Sequence, residues 1–255
     1  SETIFSFPVK CPACGNPAMR ANGEAVRRCT GGFLCDAQSI ERLIHFVSRD
    51  AFDIEGLGSK QIIHFNKLGW LKYPSDIFLL PDKIDEIALL DRMGQKSAKN
   101  LINAIDARKK IGLERVIFAL GIRQIGISTA KLLAETFETL PKLQQVCIAA
   151  QDKNHPAYQE LMDIDQIGES IANDLIMFFS EKKNQQLISL LLENVTPVTP
   201  IKAQLDSPIA GKIIVFTGTL SQLSRAEAKA QAERMGAKVT GSVSQKTDYL
   251  IAGAN

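Results

Sequence analysis

Apolar positions follow a helical period through the middle of the chain and a strand-like pattern near its end. Ile62 and Ile63, then Leu101, Ile102 and Ile105, then Leu133 and Phe137, then Leu175 and Phe179 each continue a run spaced for one helix face. Further apolar helical stretches cover residues 84–90, 113–120 and 158–162. After Leu192 the pattern breaks. Glu193-Asn194-Val195-Thr196-Pro197-Val198-Thr199-Pro200 and a polar stretch to Ser207-Pro208 read as a linker, because proline cannot continue a helix. Residues 212–217 form an apolar strand run closed by Gly218, residues 225–235 a helical segment, and 236–239 and 248–252 two further strands. The pattern predicts a mainly α chain: a small module over 1–40, a helical domain over 41–193, a linker over 194–209 and a partial α/β unit over 210–255.

The helical part repeats itself. Ile54-Glu55-Gly56-Leu57-Gly58, Leu90-Asp91-Arg92-Met93-Gly94, Ile122-Arg123-Gln124-Ile125-Gly126 and Ile164-Asp165-Gln166-Ile167-Gly168 share the pattern apolar-x-x-apolar-Gly, with Ile62, Ala98, Ala130 or Ala172 four places on. The intervals are 36, 32 and 42 residues. Helix, short turn, helix is the expected unit. Two apolar residues pin the turn to the core, the glycine opens the second helix with its N–H groups exposed, and the small residue lets the helices approach. Such N–H groups, aided by the helix dipole, suit a phosphate. Read without a ligand, glycine-turned hairpins are packing devices and their lysines are solvated helix faces.

The motif resembles the helix-hairpin-helix of DNA repair and replication proteins, which implies a grip on the DNA backbone without base reading. The candidate DNA contacts are Gly56, Gly58 and Lys60 in the first copy, and Arg92, Gly94, Lys96 and Lys99 in the second. Arg123, Gly126 and Lys131 follow in the third, and Gly168 in the fourth. Asp163, Asp165 and Glu169 surround the fourth turn and repel phosphate, so that copy is expected to be mainly structural or to offer backbone N–H groups alone.

Charge narrows the partners only a little. Of 255 residues, 30 are basic and 28 acidic, for a net charge of +2. No segment is a basic block: residues 1–50 hold 6 basic and 5 acidic groups, 51–190 hold 17 and 18, and 191–255 hold 7 and 5. Nucleic-acid binding must therefore rest on local geometry. At 45% hydrophobic and 23% charged, the composition excludes collagen-like repeats and wholesale disorder. No apolar run reaches the roughly 18–20 residues of a membrane span, and no signal pattern opens the chain, so a cytosolic protein away from membranes is expected.

Four of the five cysteines fall in one short stretch, spaced Cys11-x2-Cys14-x14-Cys29-x5-Cys35, and Cys147 stands alone. An odd total clustered this way fits a reduced compartment and a metal site better than a disulfide framework. Cys11-Pro12-Ala13-Cys14-Gly15 is a tight knuckle, and Gly31 and Gly32 let the second arm turn back. Four thiolates would close a tetrahedral structural zinc site with no position left for water. The competing readings are two disulfides, four unrelated buried cysteines, or a histidine in place of one sulfur. His45 is the nearest candidate, ten residues beyond Cys35.

Strand, helix, strand, strand, with Thr217-Gly218 after the first strand, resembles the opening half of a BRCT domain. That resemblance implies Thr217 and Gly218 as a candidate phosphate pocket. Domains of that family need close to twice the residues available here and a buried tryptophan, whereas the single tryptophan is Trp70. The unit is therefore expected to be a truncated, marginal piece.

Zinc module, four hairpins and BRCT start, in that order, resemble the C-terminal part of the bacterial NAD-dependent DNA ligase family. The most specific stretches are Cys-Pro-x-Cys-Gly at 11–15, Cys-Thr-Gly-Gly-x-x-Cys at 29–35, His45-Phe46-Val47-Ser48-Arg49, Ala119-Leu120-Gly121-Ile122-Arg123 and Gly236-Ala237-Lys238-Val239. The resemblance implies a parent enzyme that seals nicks in duplex DNA through an AMP-lysine intermediate. It also implies upstream adenylation and oligonucleotide-binding-fold domains, a monomeric state, and a place in the bacterial cytoplasm on nucleoid DNA. NAD and Mg2+ would serve the parent enzyme and not this stretch. In that family the nucleophile stands in Lys-x-Asp-Gly, but here Lys83-Ile84-Asp85 meets Glu86 and Lys246-Thr247-Asp248 meets Tyr249. No catalytic residue is expected in this chain. The rival classes are a non-enzymatic DNA-junction or repair-scaffold subunit and a protein-interaction module.

Overall fold

The computed structural model describes residues 7–20, 25–32, 35–91, 93–199, 207–220 and 223–253. The chain is mainly α and divides into two compact units, residues 1–199 and 200–255.

In the first unit β1 (Ala18–Met19) and β2 (Arg28–Cys29) form an antiparallel ribbon that carries the N-terminal module. Cys35 then caps α1 (Asp36–Val47) through its carbonyl, which accepts from the Ser39 N–H at 2.9 Å. The hairpins follow. α2 (Ser59–Lys67), a 3₁₀ helix (Pro74–Lys83), α3 (Ile84–Ala88) and α4 (Gln95–Asp106) hold the first two turns. β3 (Lys110–Gly112) leads into α5 (Leu113–Ala119), α6 (Ile127–Phe137), α7 (Leu140–Ala149), α8 (Pro156–Met162), α9 (Glu169–Ser180) and α10 (Lys182–Leu192), which hold the other two. α2, α4, α6 and α9 each open on one of the repeated glycines: Gly58, Gly94, Gly126 and Gly168.

One core runs through this unit from Leu43 to Val195, with Phe46, Phe52, Phe65, Phe137 and Phe179 fully buried. Phe46 and Phe52 stack at 4.1 Å between ring centres, folding the segment after α1 back onto it. Arg115 locks that segment further. Its Nε donates to the Ala51 carbonyl at 2.7 Å and its Nη2 to the Arg49 carbonyl at 2.6 Å. Arg108 adds an ion pair to Asp53 at 2.9 Å.

Residues 194–199, read from their prolines as the start of a linker, belong to this helical body. β4 (Thr196–Val198) pairs in parallel with β3, with Pro197 opposite Ile111, and Val195 is 2% exposed. A two-stranded ribbon tolerates Pro197 because the strand has a free edge to which a missing N–H can turn.

The hairpins associate in twos. A Cβ on Gly56 in the first turn would lie 3.8 Å from Leu101 Cδ1 of α4, so that turn sits on the second hairpin. The third turn sits on the fourth hairpin, where Gln124 reaches Ser170 and Asp174 of α9.

In the second unit β5 (Ile213–Thr217) lies between β6 (Lys238–Thr240) and β7 (Tyr249–Ala252), all parallel, in the order β6-β5-β7. α11 (Arg225–Arg234) is the crossover and opens on a reciprocal cap between Ser224 and Glu227. Strand, helix, strand, strand is the order that the pattern predicts. Ile214, Ala232 and Ala237 form a small core, while Tyr249, Leu250 and Ile251 on β7 remain exposed.

Candidate metal centre and nucleic-acid interface

The sulfurs of Cys11, Cys14, Cys29 and Cys35 all lie within 4.8 Å of one another. Cys14 and Cys29 are 3.4 Å apart and Cys11 and Cys35 3.9 Å, too far for a disulfide. A tetrahedral zinc with thiolates at about 2.3 Å places its sulfurs about 3.8 Å apart, so the four fit that ion. The chain builds the site locally. Gly15 takes a φ of +73°, its N–H donates to the Cys11 carbonyl at 2.9 Å, and the Cys11 N–H donates to the Asn16 carbonyl at 2.7 Å. The opposite arm is held by the Thr30 N–H on the Pro17 carbonyl at 2.9 Å.

Donors around the sulfurs favour the thiolate. The Asn16 side-chain amide donates to Cys14 Sγ at 3.3 Å, and with the Asn16 backbone it draws the Cys14 thiol down to about 6. The Gly31 N–H, 3.2 Å from Cys29 Sγ, pulls the same way on Cys29, but desolvation and the neighbouring thiols outweigh it and push that thiol up to about 11. Four thiolates crowded this closely need a cation between them, which a zinc ion would supply. None of the histidines joins the cluster. His45 bonds the Phe118 carbonyl through Nε2 at 2.8 Å, bracing α1 against α5, and His155 Nδ1 accepts from the Ala157 N–H to cap α8.

The four turns are built alike. The N–H of Leu57, Met93, Ile125 and Ile167 closes each turn on the carbonyl of Ile54, Leu90, Ile122 and Ile164, at 3.2, 3.0, 3.1 and 3.0 Å. Each glycine carbonyl then accepts the first helical bond from Ile62, Ala98, Ala130 or Ala172, all fully buried, at 2.9–3.0 Å. The residue two places before the capping glycine is left-handed in three turns: Gly56 at +83°, Gln124 at +62° and Gln166 at +67°. Its fourth counterpart, Arg92, lies outside the described residues.

The capping glycines themselves are extended, with φ between −79° and −154°, a conformation any residue adopts. A Cβ on Gly94, Gly126 or Gly168 would meet nothing within 4 Å, and on Gly58 only Gln61 Oε1 at 3.9 Å. Neither backbone nor packing therefore asks for glycine at these places. None of these helices has a side-chain cap. By contrast Thr139, His155 and Ser224 cap α7, α8 and α11. The leading N–H groups of the hairpin helices have no partner within the helix.

Charge separates the copies. Lys60, Lys96 and Lys99 are exposed and make no ion pair among the described residues. Lys131 shares its charge with Glu135 at 3.9 Å, and Arg123 is exposed beside the third turn. At the fourth turn Glu169 binds Lys153 at 2.8 Å, a bond that holds the carboxyl below its usual range and the ammonium above its own.

Comparison with known proteins places this architecture. Residues 10–37 match the NAD-dependent DNA ligase C4 zinc finger domain, residues 115–188 a helix-hairpin-helix motif family and residues 205–255 the BRCA1 C Terminus (BRCT) domain. A DNA ligase of Rhodopseudomonas palustris (strain TIE-1) is 50% identical over 258 residues, covering 98% of this chain. Over nearly its whole length the chain matches part of an NAD-dependent DNA ligase. DNA ligases of Rhodospirillum rubrum and Roseobacter denitrificans are 49% and 48% identical, each over 98% of the chain. The chain spans about a third, 36–37%, of the length of these ligases. In the BRCT-matched part Thr217 is exposed at the end of β5, and Gly218, at a φ of +70°, gives its carbonyl to Arg225 Nη2 at 3.0 Å. No helix among the described residues is long and apolar enough to cross a membrane.

The sequence reading missed Asn16 as the partner of Cys14 and Gln124 as a contact between hairpins. Asn16 follows the knuckle closely enough to have been suspected. Gln124 had no local signal, because its partners lie 46 and 50 residues away.

Proposed function

We propose that this chain holds duplex DNA by its sugar–phosphate backbone on behalf of a nick-sealing, NAD-dependent ligase. The observation that carries this reading is the set of capping glycines that nothing inside the protein requires. A residue held small by neither its backbone nor its neighbours is held small by something that approaches from outside. The leading amides beside it are suited to a phosphate oxygen. The first three turns, with Lys60, Lys96, Lys99 and Arg123 near them, are the DNA-facing ones. The acidic fourth turn serves mainly to position the third.

The zinc module holds the start of the hairpin domain and exposes Phe7, Val9, Met19 and Val26, apolar surface suited to bracing against a neighbouring domain of the same ligase. Adenylation with NAD, and the Mg2+ it uses, belong to a Lys-x-Asp-Gly site elsewhere in that enzyme. This stretch supplies binding and works as a monomer on nucleoid DNA in the cytoplasm.

The test is titration of the 255-residue chain with nicked duplex at two salt concentrations. Gly94→Val and Gly126→Val are expected to weaken binding about tenfold each, the worth of a lost charge-assisted hydrogen bond, while the poorer N-cap costs about 1 kcal/mol of stability and leaves the chain folded. Lys96→Glu is expected to flatten the slope of log affinity against log salt by about 1 or more. Unaltered binding in all three variants would sink the DNA reading. A protein-interaction module would show no salt-dependent affinity for nicked duplex at all.

A further inference from the structure

Gln124 is left-handed at a φ of +62°, where side chains are uncommon, and its amide turns across to the neighbouring hairpin. Its Nε2 donates to Ser170 Oγ at 2.8 Å and to Asp174 Oδ2 at 2.5 Å. Asp174 is only 8% exposed on the otherwise apolar inner face of α9, beside Ala172 and Leu175, both fully buried. A carboxylate is costly there, and an apolar side chain would serve packing better. Its counterparts among the described residues, Gly56 and Gln166, have no such bond. In the fourth turn Gln166 reaches only its neighbour Asp165, at 3.4 Å, and in the first turn Gly56 rests on Leu101 without a side chain. Gln124 stands two residues before Gly126, and Ser170 and Asp174 stand two and six residues after Gly168. The bond thus ties the cap of the third turn to that of the fourth through very short levers.

We propose that Gln124, Ser170 and Asp174 form a polar latch that fixes the third turn against the fourth hairpin, making Gln124 and Asp174 positioning residues for DNA. The proposal rests on the backbone-binding reading of the turns. A latched turn presents the amides after Gly126 in one orientation, so ordering is complete before DNA arrives. The latch also gives the acidic fourth copy a use that needs no phosphate of its own.

The full chain tests this with nicked duplex, using Gln124→Gly, Asp174→Leu and Asp174→Asn, each alone and combined with Gly126→Val. Glycine keeps the left-handed turn, as Gly56 does, and removes only the latch. Gln124→Gly and Asp174→Leu are expected to weaken binding about 2- to 10-fold, the ordering cost of one side chain. Asp174→Asn still offers Gln124 an acceptor and is expected to stay within about twofold of the parent. With Gly126→Val present, Gln124→Gly should add nothing, because it acts through that turn. The latch is overturned if Gln124→Gly leaves binding intact while Gly126→Val weakens it, or if its effect is the same in both backgrounds. Should Gly126→Val itself change nothing, the turn reading fails first.

Discussion

Single residues here carry demands that can be told apart by where a methyl group would go. At Gly31 a Cβ would lie 3.0 Å from Asn16 Nδ2 and 3.1 Å from both Cys14 Sγ and Cys35 Cβ, so the zinc loop closes only over a hydrogen. Gly31→Ala is expected to lower zinc retention and loosen the N-terminal module, read as faster metal loss to a chelator. At Gly126 the same methyl group meets open space, so a substitution there bears on binding more than on packing. Glu169 presents a third kind of demand. Its carboxylate, kept ionised by Lys153, lies in the first turn of α9, where a phosphate would otherwise be welcome. Glu169→Gln removes that charge and frees Lys153. Affinity for nicked duplex at low salt is expected to rise about 2- to 5-fold, the usual worth of one charge at a helix N-terminus.

At the scale of elements, the hairpins depend on close approach of their two helices. Ala98, Ala130 and Ala172 are fully buried at the point where each second helix starts. Ala130→Leu forces bulk into that contact and is expected to cost about 1–3 kcal/mol of stability, measured by denaturant unfolding. In the second unit, Asp248 takes the Ile213 N–H at 2.7 Å and Lys212 Nζ at 3.2 Å, tying the start of β7 to β5. The Ile213 N–H first, and then Lys212, hold that carboxyl below its usual range. A carboxylate lowered by folding stabilises the fold above its unfolded value, and loses that effect as pH falls through the lowered one. The β5–β7 pairing is therefore expected to weaken below about pH 4, and Asp248→Asn to weaken it at neutral pH. Hydrogen exchange of the Ile251 amide would register both.

Over the whole molecule, the zinc module and the hairpins form one unit because Cys35 is at once a member of the four-cysteine cluster and the cap of α1. One zinc per chain is expected by elemental analysis. Its removal, or Cys14→Ser, should unfold residues 7–35 while far-UV helicity of the hairpins largely persists, since their core does not include the ligands. Much of this was legible beforehand. The four cysteines, the four turns and the strand–helix–strand–strand order all announce themselves in short windows. The β4 strand did not, because the prolines in and around it signal a linker and its partner β3 lies more than 80 residues away.

The sequence by itself determined what is local. Ligand spacing within two short arms brings four sulfurs together, and apolar-x-x-apolar-Gly closes the same turn four times, because each needs only neighbours along the chain. The tertiary structure alone decided which hairpins lie together, that Gln124 reaches Asp174, and that the capping glycines face open space. Those features depend on surfaces brought together by burying a shared core, and no window of sequence contains both sides of such a contact.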